Sequence, residues 1–319
     1  SRRQRQMCIR DSPAVELVLH YRTLTKLKST YADGLMKEIR EDGRIHTTFQ
    51  NLVTATGRLS STEPNLQNIP VRSPLGREMR KFFVARDGYV LVDADYSQIE
   101  LRVLAHISGD QNMIKAFNDN TDIHTVTASE VFDMPPQLVT PIMRSRAKAV
   151  NFGIVYGIGA FSLAKDIGVS RSEADEYIKG YLRHYSGVDK YMHDVVEKAK
   201  KDGYAETMFA RRRYLPELTA SNANTRAFGE RVARNMPIQG TAADIIKIAM
   251  IRVYERLERE NLAAKLIMQV HDELIVEAPE NEKERVSALL KEEMENAVKL
   301  SVALTADVHS GRTWYDAKG

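Results

Sequence analysis

The chain alternates between apolar runs with strand character and apolar positions at helical spacing, and the places where one gives way to the other mark its elements. Tyr89, Val90, Leu91 and Val92 are consecutive strand formers. After Asp95, the set Ile99, Leu101, Val103 and Leu104 predicts a packed helix. Asp95 therefore falls at a strand-to-helix junction, where a lone acid is most simply an N-cap. Far along the chain, residues 265–277 read KLIMQVHDELIVE. Two β-rich runs flank His271, Asp272 and Glu273 and predict a hairpin with acids at its tip or centre. Two carboxylates from separate strands can share a divalent cation, which is the competing reading of Asp95.

The same patterning divides the rest. Val15, Leu17, Val18, Tyr21, Leu24 and Leu27 predict a packing helix over residues 13–37, after a Ser12 cap and with Pro13 in its first turn. Residues 53–70, rich in Gly, Ser, Thr, Asn and Pro, predict an ordered loop. There Arg58 follows Gly57, so backbone and guanidinium could both approach a ligand, a solvated arginine being the plain alternative. Two amphipathic helices are expected over 170–202, parting near Ser186 and Gly187, then a hairpin over 204–215 and a helix over 241–260. An acidic amphipathic helix over 279–300 would cover a sheet, and a last strand with Trp314 closes the pattern over 303–316.

One predicted helix carries an unusual stripe. Thr140 and Pro141 read as cap and first helical residue, and the helix runs until Gly157. Arg144, Lys148, Phe152 and Tyr156 recur every four residues, drifting by roughly 40° per step, so they share one face. Cations alone would be a solvated face and aromatics alone a core. In succession they match a nucleoside triphosphate, with phosphates at the helix N-terminal end and sugar and base at the aromatic end. Gly157, Ile158 and Gly159 imitate a dinucleotide loop, but they follow a helix and Ser162 stands where a third glycine belongs.

Composition narrows the frame. At 319 residues the chain can bury a large core and should form two or more lobes. Its one cysteine, Cys8, excludes an internal disulfide and favours a reducing compartment, so a cytoplasmic location is expected. No apolar run approaches the roughly 18 residues of a membrane span. A net charge of +3 is too small to diagnose a nucleic-acid partner. Local clustering says more: from Arg211 to Arg234 there are six arginines against Glu217 and Glu230, the footprint of phosphate contacts or of a solvated basic face. Arg231, Asn235 and Gln239 then repeat every four residues, a stripe able to bond base edges or sugars.

The motifs TATGRLSSTEPNLQNIP, DYSQIELR, RSRAKAVNFGIVYG, PIQGTAADIIK and QVHDEL, in this order, resemble the polymerase region of family A DNA polymerases of the bacterial polymerase I type. The resemblance implies an α+β fold with the right-hand architecture, a palm on an antiparallel sheet and helical fingers. It assigns residues 13–36 to a thumb remnant, 37–107 and 230–319 to the palm and 108–229 to the fingers; residues 1–12 are set apart as a non-family tail. It makes Asp95, Asp272 and the Tyr96 carbonyl a site for two Mg2+ ions, with Glu273 as accessory acid. Arg144, Lys148 and His124 would hold the triphosphate, with Lys148 also protonating the leaving group, while Phe152, Tyr156, Glu100 and Gln98 would form the sugar and base pocket. Arg58, Arg231, Asn235, Gln239 and His271 would lie along primer and template. The pattern departs at Gly159 and Ser162, which reverse the family's more common residues.

The implied function is dNTP addition to a primer 3′-hydroxyl on primer-template DNA, in replication and repair, by a monomer with no membrane partner. A two-metal nuclease would share the carboxylates without needing the cation-then-aromatic helix. A single-subunit RNA polymerase would share the palm, but Glu100 with Phe152 favours deoxynucleotides. A DNA-binding scaffold without turnover is the third alternative. With the thumb reduced to its last helix and no acids left for a proofreading site, the expectation is weak, distributive synthesis without 3′-to-5′ exonuclease activity.

Overall fold

The computed structural model describes residues 12–70 and 73–318. Helix α1 spans Pro13–Lys26 and runs through a π-helical segment, Leu27–Ala32, into α2, Asp33–Lys37. Strands β1 (Thr48–Gln50) and β2 (Ser60–Thr62) pair antiparallel, so the expected loop contains a short strand. A short helix α3 (Pro74–Glu78) precedes the long strand β3 (Tyr89–Tyr96) and its following helix α4 (Ile99–Ser108). Helices α5 (Gln111–Asn118), α6 (Ile123–Val131), α7 (Pro141–Val155), α8 (Ala160–Ile167), α9 (Arg171–His184) and α10 (Ser186–Asp202) build a helical lobe. The hairpin β4 (Tyr204–Glu206) and β5 (Arg212–Tyr214) leads to α11, Ala223–Arg259. Strands β6 (Lys265–Val270) and β7 (Glu273–Pro279), helix α12 (Lys283–Glu295), strand β8 (Ala306–Gly311) and helix α13 (Trp314–Ala317) complete it.

The main sheet is four-stranded and antiparallel in the order β6, β7, β3, β8. Alternation along β3 sends Val90, Val92, Ala94 and Tyr96 into the large core and Leu91 into a smaller one around Trp314. α12 covers the first face, burying Val286, Leu289, Leu290 and Met294, as its amphipathic pattern predicted. The large core runs on without a break into the helical lobe through Leu101, Ile123, Val150 and Tyr181. Among the described residues no helix is long and apolar enough to cross a membrane.

Two expectations change. The helix expected to pack over 13–37 forms, but α1 buries none of its residues; only Leu27, Tyr31 and Leu35, beyond it, reach the core. Its apolar positions Leu17, Val18 and Tyr21 face solvent, because helical spacing creates an apolar stripe without supplying a surface to cover it. The helix expected over 241–260 is the end of a continuous 37-residue helix that runs through Pro237. Burial of Ala233, Met236, Ile238, Ala242 and Ile245 along its path overrides the interruption that proline signals.

Candidate active site at the end of the main sheet

The acids converge at one end of the sheet. On β3, Asp93 and Asp95 share the face opposite the large core, and cross-strand register sets Asp95 against Glu273 of β7 and Asp307 of β8. His271 and Asp272 form the two-residue turn between β6 and β7, with His271 at φ 55. The Tyr96 amide donates to the Asp272 carbonyl at 3.1 Å, tying the hairpin tip to the end of β3. Asp95 is not a helix cap: Gln98, at φ 55, holds the N-cap position of α4 and its side chain makes no cap bond.

Electrostatics separates the roles of these acids. Desolvation and then the Asp95 charge push the Asp272 carboxyl up to about 7, the mark of two carboxylates that a cation would relieve. Glu273 is buried within strand β7 rather than at the hairpin tip. It accepts from Trp314 Nε1 at 2.8 Å and Lys318 Nζ at 2.7 Å. Burial works to raise it, but Asp93 and Lys318 outweigh that and lower it. Asp93, 2% exposed, is pushed well above the carboxylate range, first by burial and then by the neighbouring Glu273. Lys318 Nζ also reaches Asp95 Oδ2 at 2.8 Å. The pattern VDADY already put Asp93 on the Asp95 face of a strand; nothing in the sequence linked Lys318 or Trp314 to the acids.

Asp95 and Asp272 suit a hard divalent cation: both offer carboxylate oxygens, and they repel each other without one. Among the described residues no group of three or more His, Cys, Asp or Glu side chains is arranged to hold a metal. An ion here would therefore complete its shell from backbone, water or substrate oxygens. The cleft around the pair, about 770 Å³, leaves room for them.

The α7 stripe approaches the site at its C-terminal end, where Tyr156 meets Glu100 and Arg58. Thr140 Oγ1 caps the helix, accepting from the Met143 amide at 3.3 Å. Arg144 Nε bonds Asp122 Oδ2 at 2.5 Å, and Asp122 also accepts from Thr125 and the His124 amide. Burial works to raise the Asp122 carboxyl, but these donors outweigh it and bring it down to about 2. Lys148 Nζ lies 5.9 Å from the Phe152 ring centre. His124, 2% exposed, is lowered to about 4 by burial, and its Nδ1 meets Asn151 Nδ2 at 2.9 Å. It is neutral at neutral pH. Asn151 and Asp122, which hold these side chains, were not singled out in the sequence.

A polar hub links the acid pair to the end of α7. Arg58 from the loop after β1 pairs with buried Glu100 at the start of α4. Tyr156, at the end of α7, sits against both; desolvation and then the Glu100 charge push its phenol up to about 12. Glu100 Oε2 is buried without a hydrogen-bond partner among the described residues, a polar atom left for something else to satisfy. Asp272 also feels Glu100 and Arg58, so hub and acid pair form one electrostatic unit.

The arginine patch is largely consumed internally. Arg211 Nε and Nη2 bind Asp244 Oδ1 at 2.8 and 2.6 Å, Arg212 pairs with Glu206, and Arg226 donates to the Ala220 and Ser221 carbonyls. Arg234 lies beside Glu230 and donates to the Met192 carbonyl. Among the described residues, Arg213 and Arg231 have no carboxylate partner in the patch; Arg231 stands over the Phe228 ring. Asn235 Nδ2 donates to the Val155 carbonyl at 3.3 Å, docking α11 against the end of α7, with half-buried Gln239 one turn further along.

An antiparallel sheet with paired carboxylates at one end, joined to a helical lobe that carries a stripe of cations and aromatics, has the architecture of a right-hand polymerase. The model of DNA polymerase family A matches residues 4–316, and the chain belongs to that family. The match begins within the segment set apart as a non-family tail, most of which lies outside the described residues. DNA polymerase I of Caldicellulosiruptor bescii is 53% identical over 305 residues, covering 95% of this chain and 36% of that protein. DNA polymerase I of Bacillus caldotenax is 55% identical over 307 residues, covering 95% and 35%. The POL domain of Pol1 from M. smegmatis, in complex with DNA primer-template and dNTP, matches with a TM-score of 0.94 and 46% identity over 98% of this chain and 56% of that one. The chain spans about a third of the length of the curated relatives.

Proposed function

We propose that this chain carries out DNA-templated DNA synthesis, adding dNTPs to a primer 3′-hydroxyl. The observation that carries this reading is the convergence of Asp95 and Asp272, linked through the Arg58 and Glu100 pair to Tyr156 at the end of the α7 stripe. Residues 37–107 and 230–319 serve as palm, 108–229 as fingers and 13–36 as thumb remnant; α11 crosses the second boundary and couples the lobes. Replication and repair in the cytoplasm, as a monomer, is the role we assign.

Asp95, Asp272 and the Tyr96 carbonyl would hold two Mg2+ ions, which would lower the pKa of the primer hydroxyl and neutralise charge at the transferred phosphate. Arg144 and Lys148 bind the triphosphate, Arg144 leaving its Asp122 bond as phosphate oxygens arrive. Lys148 gives a proton to the departing pyrophosphate. Neutral His124 contributes shape and a hydrogen bond rather than charge. Phe152 and Tyr156 stack under sugar and base, Gln98 flanks them, and Glu100 closes the 2′ side. Arg58, His271, Arg231, Asn235 and Gln239 line primer and template. Glu273 supports Asp95 through their shared Lys318.

Primer extension with dNTPs against NTPs, run beside a DNA-binding titration, tests the reading. Extension with dNTPs and its loss in Asp95→Asn and Asp272→Asn are expected with the fold intact. DNA binding without extension in the unmodified chain would leave only a scaffold.

A further inference from the structure

The acid cluster holds a cation of its own. Lys318 Nζ stands 2.8 Å from Asp95 Oδ2, 2.7 Å from Glu273 Oε2 and 3.9 Å from Asp93 Oδ1. It is placed there by a built structure. Thr313 and Asp316 form a reciprocal capping box at the start of α13. The Trp314 amide donates to the Phe83 carbonyl at 2.9 Å, its ring meets Phe83 edge-on and lies under the Arg80 guanidinium at 4.3 Å, and its Nε1 grips Glu273. α13 folds so closely over β8 that a side chain at Gly311 would collide with Asp316 and Ala317. Lys318 follows directly on this anchored helix, so the fold delivers its ammonium to Asp95.

We propose that Lys318 is a resident counter-cation of the metal site: it occupies part of the Asp95 carboxylate in the metal-free protein and competes with a divalent ion for it. The inference rests on the two-metal reading above and adds to it the device that sets how tightly the site loads. Without Lys318, Asp95, Asp272 and Glu273 would face one another with no ammonium among them, a local charge that would hold hard cations indiscriminately. With it, one of the three carboxylate charges is offset, and the strongest loading waits for the extra negative charge of an incoming triphosphate. Divalent affinity in the absence of nucleotide is thereby kept low.

Mn2+ binding to the chain in the absence of DNA and nucleotide, followed by electron paramagnetic resonance, reads this directly. Lys318→Met should bind Mn2+ about tenfold more tightly than the unmodified chain, since one adjacent positive charge is gone, whereas Lys318→Arg, which keeps the charge, should bind less tightly than Lys318→Met. Circular dichroism and thermal melts establish that each variant is folded. If Lys318→Met fails to fold, Gly311→Ala, which displaces α13, should move affinity the same way. Unchanged or weaker Mn2+ binding in folded Lys318→Met overturns the proposal. Asp95→Asn separates the two readings: if it leaves Mn2+ binding unaltered, the metal assignment itself fails. If it weakens binding while Lys318→Met changes nothing, only the role of Lys318 is lost.

Discussion

Glu100 shows how much one side chain decides at this site. Its Oε1 is engaged by Arg58 while its buried Oε2 is without a partner among the described residues, in reach of the Tyr156 environment. If it closes off the 2′ side of an incoming nucleotide, Glu100→Ala should raise ribonucleotide incorporation relative to deoxyribonucleotide by about tenfold or more. Phe152 has no hydroxyl to replace a missing 3′-OH, so dideoxynucleotides should be poor substrates and Phe152→Tyr should improve them. Competitive single-nucleotide extension measures both, and unchanged selectivity in the two variants would put the sugar elsewhere. His124 supplies a pH test. Its folded value, about 4, lies below the unfolded value near 6.5 because burial disfavours the charged ring. The unfolded chain therefore takes the proton first. This stability is fully present above pH 6.5 and is lost as pH falls from there toward 4. The contribution lost between pH 7.5 and 5 is about 2 kcal/mol. Urea midpoints of the unmodified chain and His124→Gln at the two pH values should differ by this amount in their pH dependence; parallel behaviour would show that His124 titrates normally.

Among the elements, the loop bearing Arg58 depends on Gly57. Gly57 sits at φ 83, and a Cβ there would strike the Arg211 guanidinium, which is locked to Asp244 and, through Asp244, to Thr207. Gly57→Ala should cost about 1–3 kcal/mol by thermal melting and impair nucleotide selection by moving Arg58 off Glu100; a neutral substitution would mean that the loop is softer than its contacts indicate. Arg211 thus holds the loop, a role its place in an arginine-rich run did not suggest. By contrast, α7 was legible in full, from its Thr140 cap to its end before Gly157, because capping and four-residue periodicity are local properties. α1 shows the limit of that logic: its periodicity gave the helix correctly and its burial wrongly.

For the whole molecule, the question is which cations are free to meet a polyanion. A net charge of +3 over 319 residues leaves long-range attraction weak, and most of the arginine patch is committed to internal acids and carbonyls. Arg231→Gln should reduce the salt slope of primer-template binding by about 0.9, the value of one phosphate contact. Arg211→Gln should leave the slope alone and lower the melting temperature instead. Equal effects of the two on the slope would mean that Arg211 releases Asp244 to bind DNA.

What the sequence determined by itself was whatever depends on near neighbours: strand and helix boundaries around Asp95, the hairpin at Asp272, the cap and stripe of α7, and, through its ordered motifs, family membership. What only the tertiary structure decided was which charges remain available. Arg211 turned out to be bound to Asp244, Glu273 to Trp314 and Lys318, and Asp95 to a lysine 223 positions away. Pairing energies depend on distance and burial rather than on order along the chain. A carboxylate or guanidinium therefore reads the same in sequence whether it faces substrate or is already neutralised by a partner that folding brings to it.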